Sequence, residues 1–245
     1  MADATFSQAE LLAEQAEYYR ARAPEYDGWF ERRGRYDRGE AATAQWFAEV
    51  DDVRRAFDAL PLDGADVIEL APGTGIWTER LVDRVGHLTA VDASAEMIAE
   101  NRTRLGARSD SVTYVQADLF AWQPERVYDV VVFCFWISHV PEARLEEFLG
   151  TVRSMLTVGG SVFFLDGRRE PSSTAGDHQL PGPDTEVMTR RLDDGREFRI
   201  VKSFRGASNL EARFAAAGLD VGVLETATYF QYGTGIRLPA EPHPG

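Results

Sequence analysis

The stretch 67-VIELAPGTGIWTERL-81 decides the fold of this chain. An apolar run carrying one acid leads into Gly73 and Gly75, and a helical pattern begins near Thr78. Glycines at a strand-to-helix turn let the backbone approach a ligand closely, and the helix N-terminus beyond them favours a negative group. A phosphate loop needs Gly-Lys-Ser/Thr after four spacers, and no such lysine follows. The dinucleotide pattern Gly-x-Gly-x-x-Gly is met only at Gly73 and Gly75, because Thr78 stands at the third position. Two glycines are a weak signal, so the neighbouring segments must carry the reading.

Downstream, short apolar runs at Leu88–Val91, Val112–Val115, Val127–Phe135 and Ser161–Leu165 follow Val67–Leu70. Helical segments at about Thr78–Val85, Ala95–Leu105 and Pro141–Leu156 separate them. Near-continuous apolar strands alternating with helices predict a parallel sheet covered on both faces. A helix near Leu210–Ala217 and extended runs at Val221–Leu224 and Thr228–Tyr232 complete the pattern. Upstream, Glu10–Ala23 and Glu40–Leu60 read as helices. The expectation is one α/β domain. Residues 1–60 form a helical cap, 61–166 a ligand-binding core, 167–205 a loop and hairpin lid, and 206–237 the last helix and strands. A proline-rich tail, 238–245, is expected to be mobile.

The segment 186-EVMTRRLDDGREFRIVK-202 breaks the alternation and reads as a β-hairpin. With Asp193–Gly195 as a three-residue loop, Met188, Arg190 and Leu192 share a face with Arg196, Phe198, Ile200 and Lys202. Arg190 and Lys202 then point with apolar residues and need an anionic partner. Either an anionic substrate meets them, or they snorkel to the rim or pair with Glu186. A two-residue loop would place Arg199 there instead.

Three acids bear on the ligand. Glu69 lies inside the first strand, where a carboxyl is costly without a partner. Asp92 ends the second strand, where a carboxylate can accept both ribose hydroxyls. Asp118 follows the third and can accept an adenine amine. A dinucleotide explains Asp92 alone. A ligand with adenosine at one end and an amino acid at the other, S-adenosylmethionine, uses all three.

The pattern Glu-x-x-x-Gly-x-Gly, the strand-end Asp and the later Ala-Asp-Leu resemble the class I S-adenosylmethionine-dependent methyltransferases over about Asp66 to Leu165. The pieces 18-YYRARAPEYD-27, 94-SAEMIAE-100, 136-WISHVP-141 and 195-GREFRIVKSFR-205 resemble the phosphonate O-methyltransferases of dehydrophos biosynthesis and related bacterial small-molecule enzymes. The resemblance implies a Rossmann-like seven-stranded sheet with an antiparallel last strand. It implies a cofactor site at Glu69, Ala71, Gly73, Thr74, Gly75, Trp77, Thr78, Asp92, Ala93, Met97, Ala117, Asp118, Leu119, Phe133 and Cys134. It also implies that Tyr19 and Tyr26 cap the cofactor, while Tyr18 and Trp29 either cap it or simply pack. Arg190 and Lys202 become anion contacts, with Tyr36 donating to the same anion. His139 is the candidate catalytic residue, either a general base or a structural histidine.

Acids outnumber bases by fourteen in 245 residues, which argues against a nucleic-acid partner and against an anionic membrane surface. The single cysteine and four scattered histidines give no metal-ligand spacing. No leader or membrane span is visible, so a cytoplasmic location is the expectation. The hairpin offers a surface for a homodimer. The expected activity is methyl transfer to an oxygen of a small, acidic acceptor. Carbon or nitrogen methylation, a nicotinamide-dependent reductase and a non-catalytic cofactor-binding protein stay open beside it.

Overall fold

The computed structural model describes residues 7–182 and 185–240. The first helix, α1 (Gln8–Arg22), starts at a capping box in which Ser7 and Glu10 satisfy each other's backbone amides. A short α2 (Tyr26–Phe30) and a long α3 (Glu40–Asp58) follow. The core then alternates β1 (Asp66–Leu70), α4 (Thr78–Leu81), β2 (His87–Asp92), α5 (Ala95–Leu105), β3 (Val112–Gln116), β4 (Tyr128–Cys134), α6 (Leu145–Ser154) and β5 (Leu156–Gly167). A hairpin of β6 (Val187–Arg191) and β7 (Glu197–Val201) precedes α7 (Ala207–Ala216), β8 (Leu219–Glu225) and β9 (Phe230–Arg237). No helix among the described residues is long and apolar enough to cross a membrane. Part of the expected tail, 241–245, lies outside the described residues.

The seven strands are ordered β3-β2-β1-β4-β5-β9-β8, with β9 antiparallel to both neighbours and the β1, β2, β3, β4 and β5 pairs parallel. Successive residues of β4 enter opposite cores, as a strand buried on both faces requires. Val130 and Val132 pack with Trp46, Val53 and Phe57 of α3. Val131 and Phe133 pack with Phe148 and Leu149 of α6 and with Phe214 of α7.

Several boundaries differ from the sequence expectation, three of them by four residues or more at sites of irregular backbone or glycine. β5 begins five residues earlier, because Leu156 already pairs with Tyr128 ahead of an irregularity at Gly159-Gly160. The helix expected to reach Val85 stops at Leu81. The final strand runs on to Arg237 through two glycines that look like strand breakers. Those glycines are required: a Cβ at Gly233 would stand 2.4 Å from Phe164, and one at Gly235 would stand 2.0 Å from the Asp220 carbonyl.

The hairpin forms its own two-stranded sheet in the three-residue-loop register, with Arg190 opposite Phe198 and Met188 opposite Ile200. Tyr18 of α1 packs into it with Met188, Leu192 and Ile200. Helix α1 and the hairpin thus cover the carboxyl ends of β1 and β4. There the strand order reverses, which is where open α/β sheets bind ligands.

Candidate active site

Two cavities meet above that switch point. The larger, about 510 Å³, runs along the ends of β1, β2 and β4 beneath α1. Its sheet wall holds Ala71, Gly73, Asp92, Ala93, Asp118 and Cys134, with Met97 and Leu119 beside them. Ala71 carries a left-handed φ of 51°, which turns the chain sharply out of β1. Gly73 also lies in that region, and its amide donates to Asp92 Oδ2 at 3.1 Å. Ser94 N donates to the other oxygen at 2.9 Å. Burial nevertheless pushes the Asp92 carboxyl up to about 6, against these amide donors. Asp118 accepts from Phe120 N at 2.9 Å, which closes the turn after β3.

Several residues expected at this site lie behind the wall. Glu69 is buried beneath the glycine loop, one oxygen bonded by Thr78 and Oε2 without a partner. Burial raises its carboxyl to about 8. Thr78 accepts from Asn101 Nδ2 at 2.8 Å, and Tyr114 donates to Asn101 Oδ1 at 2.8 Å. Gly75 packs against this network: a Cβ there would meet the Asn101 amide at 2.8 Å. Trp77 packs at a tilt against Phe57 in the core. Phe133 is wholly buried against Phe148 and Phe164. Ala117 packs on the same cluster. Thr74 is buried against α2, donating to Asp27 Oδ1 at 2.6 Å.

The smaller cavity, about 40 Å³, lies under the hairpin. Tyr19, Tyr26, Phe135 and His139 line both cavities and form their common wall. Phe135 has a φ of 58°, so the chain turns sharply out of β4, and its ring lies edge-on to Trp29. Four cations line the smaller cavity: Arg22, Arg168, Arg190 and Lys202. Arg168 pairs with Glu225 at 3.1 Å. Lys202 has a structural partner in the wholly buried Asp166, 3.3 Å away, and donates to Ser138 Oγ at 2.6 Å. Lys202 thus stands on the cavity wall as half of a buried ion pair. Arg190 donates to Thr174 Oγ1, and Arg22 lies over the Tyr26 ring at 4.8 Å. Neither guanidinium has a carboxylate partner among the described residues, and Nε of each makes no hydrogen bond. Tyr36 is not on this wall; its hydroxyl accepts from Arg22 at 3.4 Å from behind.

His139 is held on both ring nitrogens. Nδ1 lies 2.7 Å from the Val201 carbonyl, which can only accept, so Nδ1 carries the proton. Nε2 then accepts from the Tyr19 hydroxyl at 2.7 Å. Burial, with Lys202 nearby, holds the imidazole pKa well below its usual range. Trp29 lines the smaller cavity, whereas Tyr18 is wholly buried under the hairpin. Arg22 and Phe135 were missed from the sequence. Arg22 was legible, lying three residues after Tyr19 and so on the same face of the helix. Phe135 left no signal, because its role depends on a backbone conformation.

A family profile described as a methyltransferase domain matches residues 67–160. The DhpI–SAM–HEP complex is 38% identical, covering 94% of this chain and 99% of that one with a TM-score of 0.76. The DhpI–SAH complex is 37% identical, covering 95% and 100%, with a TM-score of 0.75. The ubiquinone biosynthesis O-methyltransferase of Xylella fastidiosa (strain 9a5c) is 28% identical over 73% of this chain and 70% of its own length.

Proposed function

Because the chain belongs to the class I S-adenosylmethionine-dependent methyltransferases, we propose that it methylates an oxygen of a small anionic acceptor held between Arg22 and Arg190. The observation that carries this reading is that pair of buried guanidiniums on one cavity, without a carboxylate between them. Buried charges need compensation, and an ionised acid would supply it. An amine acceptor would meet the same cations with the wrong sign, which disfavours nitrogen methylation. The resemblance to phosphonate O-methyltransferases and the name of the ubiquinone O-methyltransferase also favour oxygen.

S-adenosylmethionine supplies a methyl group already activated on a sulfonium centre. The larger cavity fits it: its volume is in the range of small-ligand sites. Asp92 would accept from the ribose, Asp118 would face the adenine, and the unpartnered Glu69 Oε2 would serve the amino-acid end through an intervening water. Tyr19 and Tyr26 close the junction against water, and Phe135 fixes its width. An ionised oxygen needs no base. His139 has its one lone pair occupied by Tyr19, so we assign it to orienting that hydroxyl.

The deciding experiment titrates S-adenosylhomocysteine into wild type and Asp92→Ala, then assays alkylphosphonates and carboxylates as acceptors. Micromolar binding lost in the variant supports the cofactor site. Arg22→Ala and Arg190→Ala should each raise KM by at least about thirtyfold, the scale for removing one partner of a buried charge contact. Turnover of amines in preference to acids would sink the reading.

A further inference from the structure

Trp29, Arg32, Arg35 and Arg38 stand three residues apart in 29-WFERRGRYDR-38. All four reach across to the long loop or the hairpin. Trp29 Nε1 donates to the Ser173 carbonyl at 2.8 Å. Arg32 donates to the Ser172 and Ser173 carbonyls at 2.6 and 3.0 Å. Arg38 donates to the Thr174 carbonyl at 3.0 Å, and Arg35 to the Arg191 carbonyl at 2.7 Å. Three consecutive carbonyls of the loop are thus held by one short segment.

The loop they hold is the wall of the smaller cavity. Ser173 and Thr174 line it, and the Thr174 hydroxyl receives Arg190. Arg32 is 4% exposed, lies over the Trp46 ring at 4.5 Å and has no carboxylate partner among the described residues. Its φ of 58° is a conformation that a non-glycine residue keeps only where its surroundings fix it. With the wall in place the cavity is about 40 Å³, room for only a few groups the size of water.

We propose that Arg32, together with Trp29 and Arg38, determines the acceptor's size. By fixing carbonyls 172–174 these residues hold Thr174 and Arg190 in place and restrict the enzyme to compact anions. The inference rests on the anionic-acceptor reading above. Arg32 touches neither cavity, so it is a positioning residue.

The test uses Arg32→Gly and Arg38→Ala. Glycine accepts the left-handed φ without strain, and Arg38 is exposed, so both variants keep the fold. Two quantities are measured with S-adenosylhomocysteine or the cofactor bound. One is hydrogen exchange over residues 170–180. The other is the ratio of kcat/KM for phenylphosphonate over methylphosphonate. Arg32→Gly should speed exchange at least about tenfold, as expected for a freed surface loop, and raise the ratio by a similar factor. Arg38→Ala should move both in the same direction by less. Unchanged exchange overturns the fixed wall. Faster exchange with an unchanged ratio overturns size selection. If neither the variants nor wild type turn over any acid, the anionic-acceptor reading fails, a separate result from slow exchange in the variant.

Discussion

Glu69 and Asp92 are acids that burial drives toward their protonated forms, and their pH behaviour is testable residue by residue. The Glu69 carboxyl rises from 4.5 to about 8. Between those values the folded chain holds a proton that the unfolded chain has released. Stability of the cofactor-free protein should therefore fall as pH rises through that window and level off above it. Glu69→Gln should remove that slope and stabilise the protein at pH 8.5 by a few kcal/mol, roughly the scale of several pKa units. Thermal unfolding from pH 5 to 9 measures this, and an unchanged slope would mean that Glu69 is solvated. Asp92 titrates near 6. If it accepts the ribose hydroxyls as a carboxylate, affinity for S-adenosylhomocysteine should weaken below pH 6, and Asp92→Asn should flatten that profile. His139 behaves differently, because its pKa is depressed and its lone pair is engaged. Residual activity of His139→Ala should keep the wild-type pH profile; loss of a limb near neutrality would restore the general-base role.

At the scale of elements, the cap is joined to the core through side chains that sequence periodicity does not reveal. Asp27 of α2 accepts from Thr74 in the glycine loop and pairs with Arg104 of α5, which itself donates to the Thr74 carbonyl at 2.8 Å. Asp27→Asn should weaken S-adenosylhomocysteine binding about tenfold, the equivalent of one charge-assisted hydrogen bond, by titration calorimetry. Helix α1 is clamped in a comparable way. Gln15 donates to the His139 carbonyl at 3.2 Å and accepts from Val201 N at 2.9 Å, while Tyr19, one turn on, holds the His139 ring. The hairpin register was legible, since alternation and a three-residue turn put Arg190 and Lys202 on one face. What alternation could not reveal was Asp166, twenty-four residues before Arg190 and already paired with Lys202.

For the whole molecule, one ligand should stabilise everything that closes over it. S-adenosylhomocysteine at about a hundred times its Kd should raise Tm by roughly 5–10 °C for a chain of this size, while a nicotinamide dinucleotide should leave it unchanged. Differential scanning fluorimetry decides between them. The alternation of strands and helices, the two buried faces, and the places of Asp92 at the end of the second strand and Asp118 just after the third were determined by the sequence itself. Those features follow from local periodicity, which each segment carries regardless of its neighbours. The boundaries hidden in glycine pairs were not, because Gly233 and Gly235 are required by Phe164 and Asp220, residues close only after folding. The division of labour among charges was likewise decided only in three dimensions. Glu69, Lys202, Arg22 and Arg32 are each a single charged letter in the sequence. Which of them is buried, paired or left facing a cavity depends on partners brought from as far as 141 residues away, because electrostatic compensation acts through space and leaves no periodic trace along the chain.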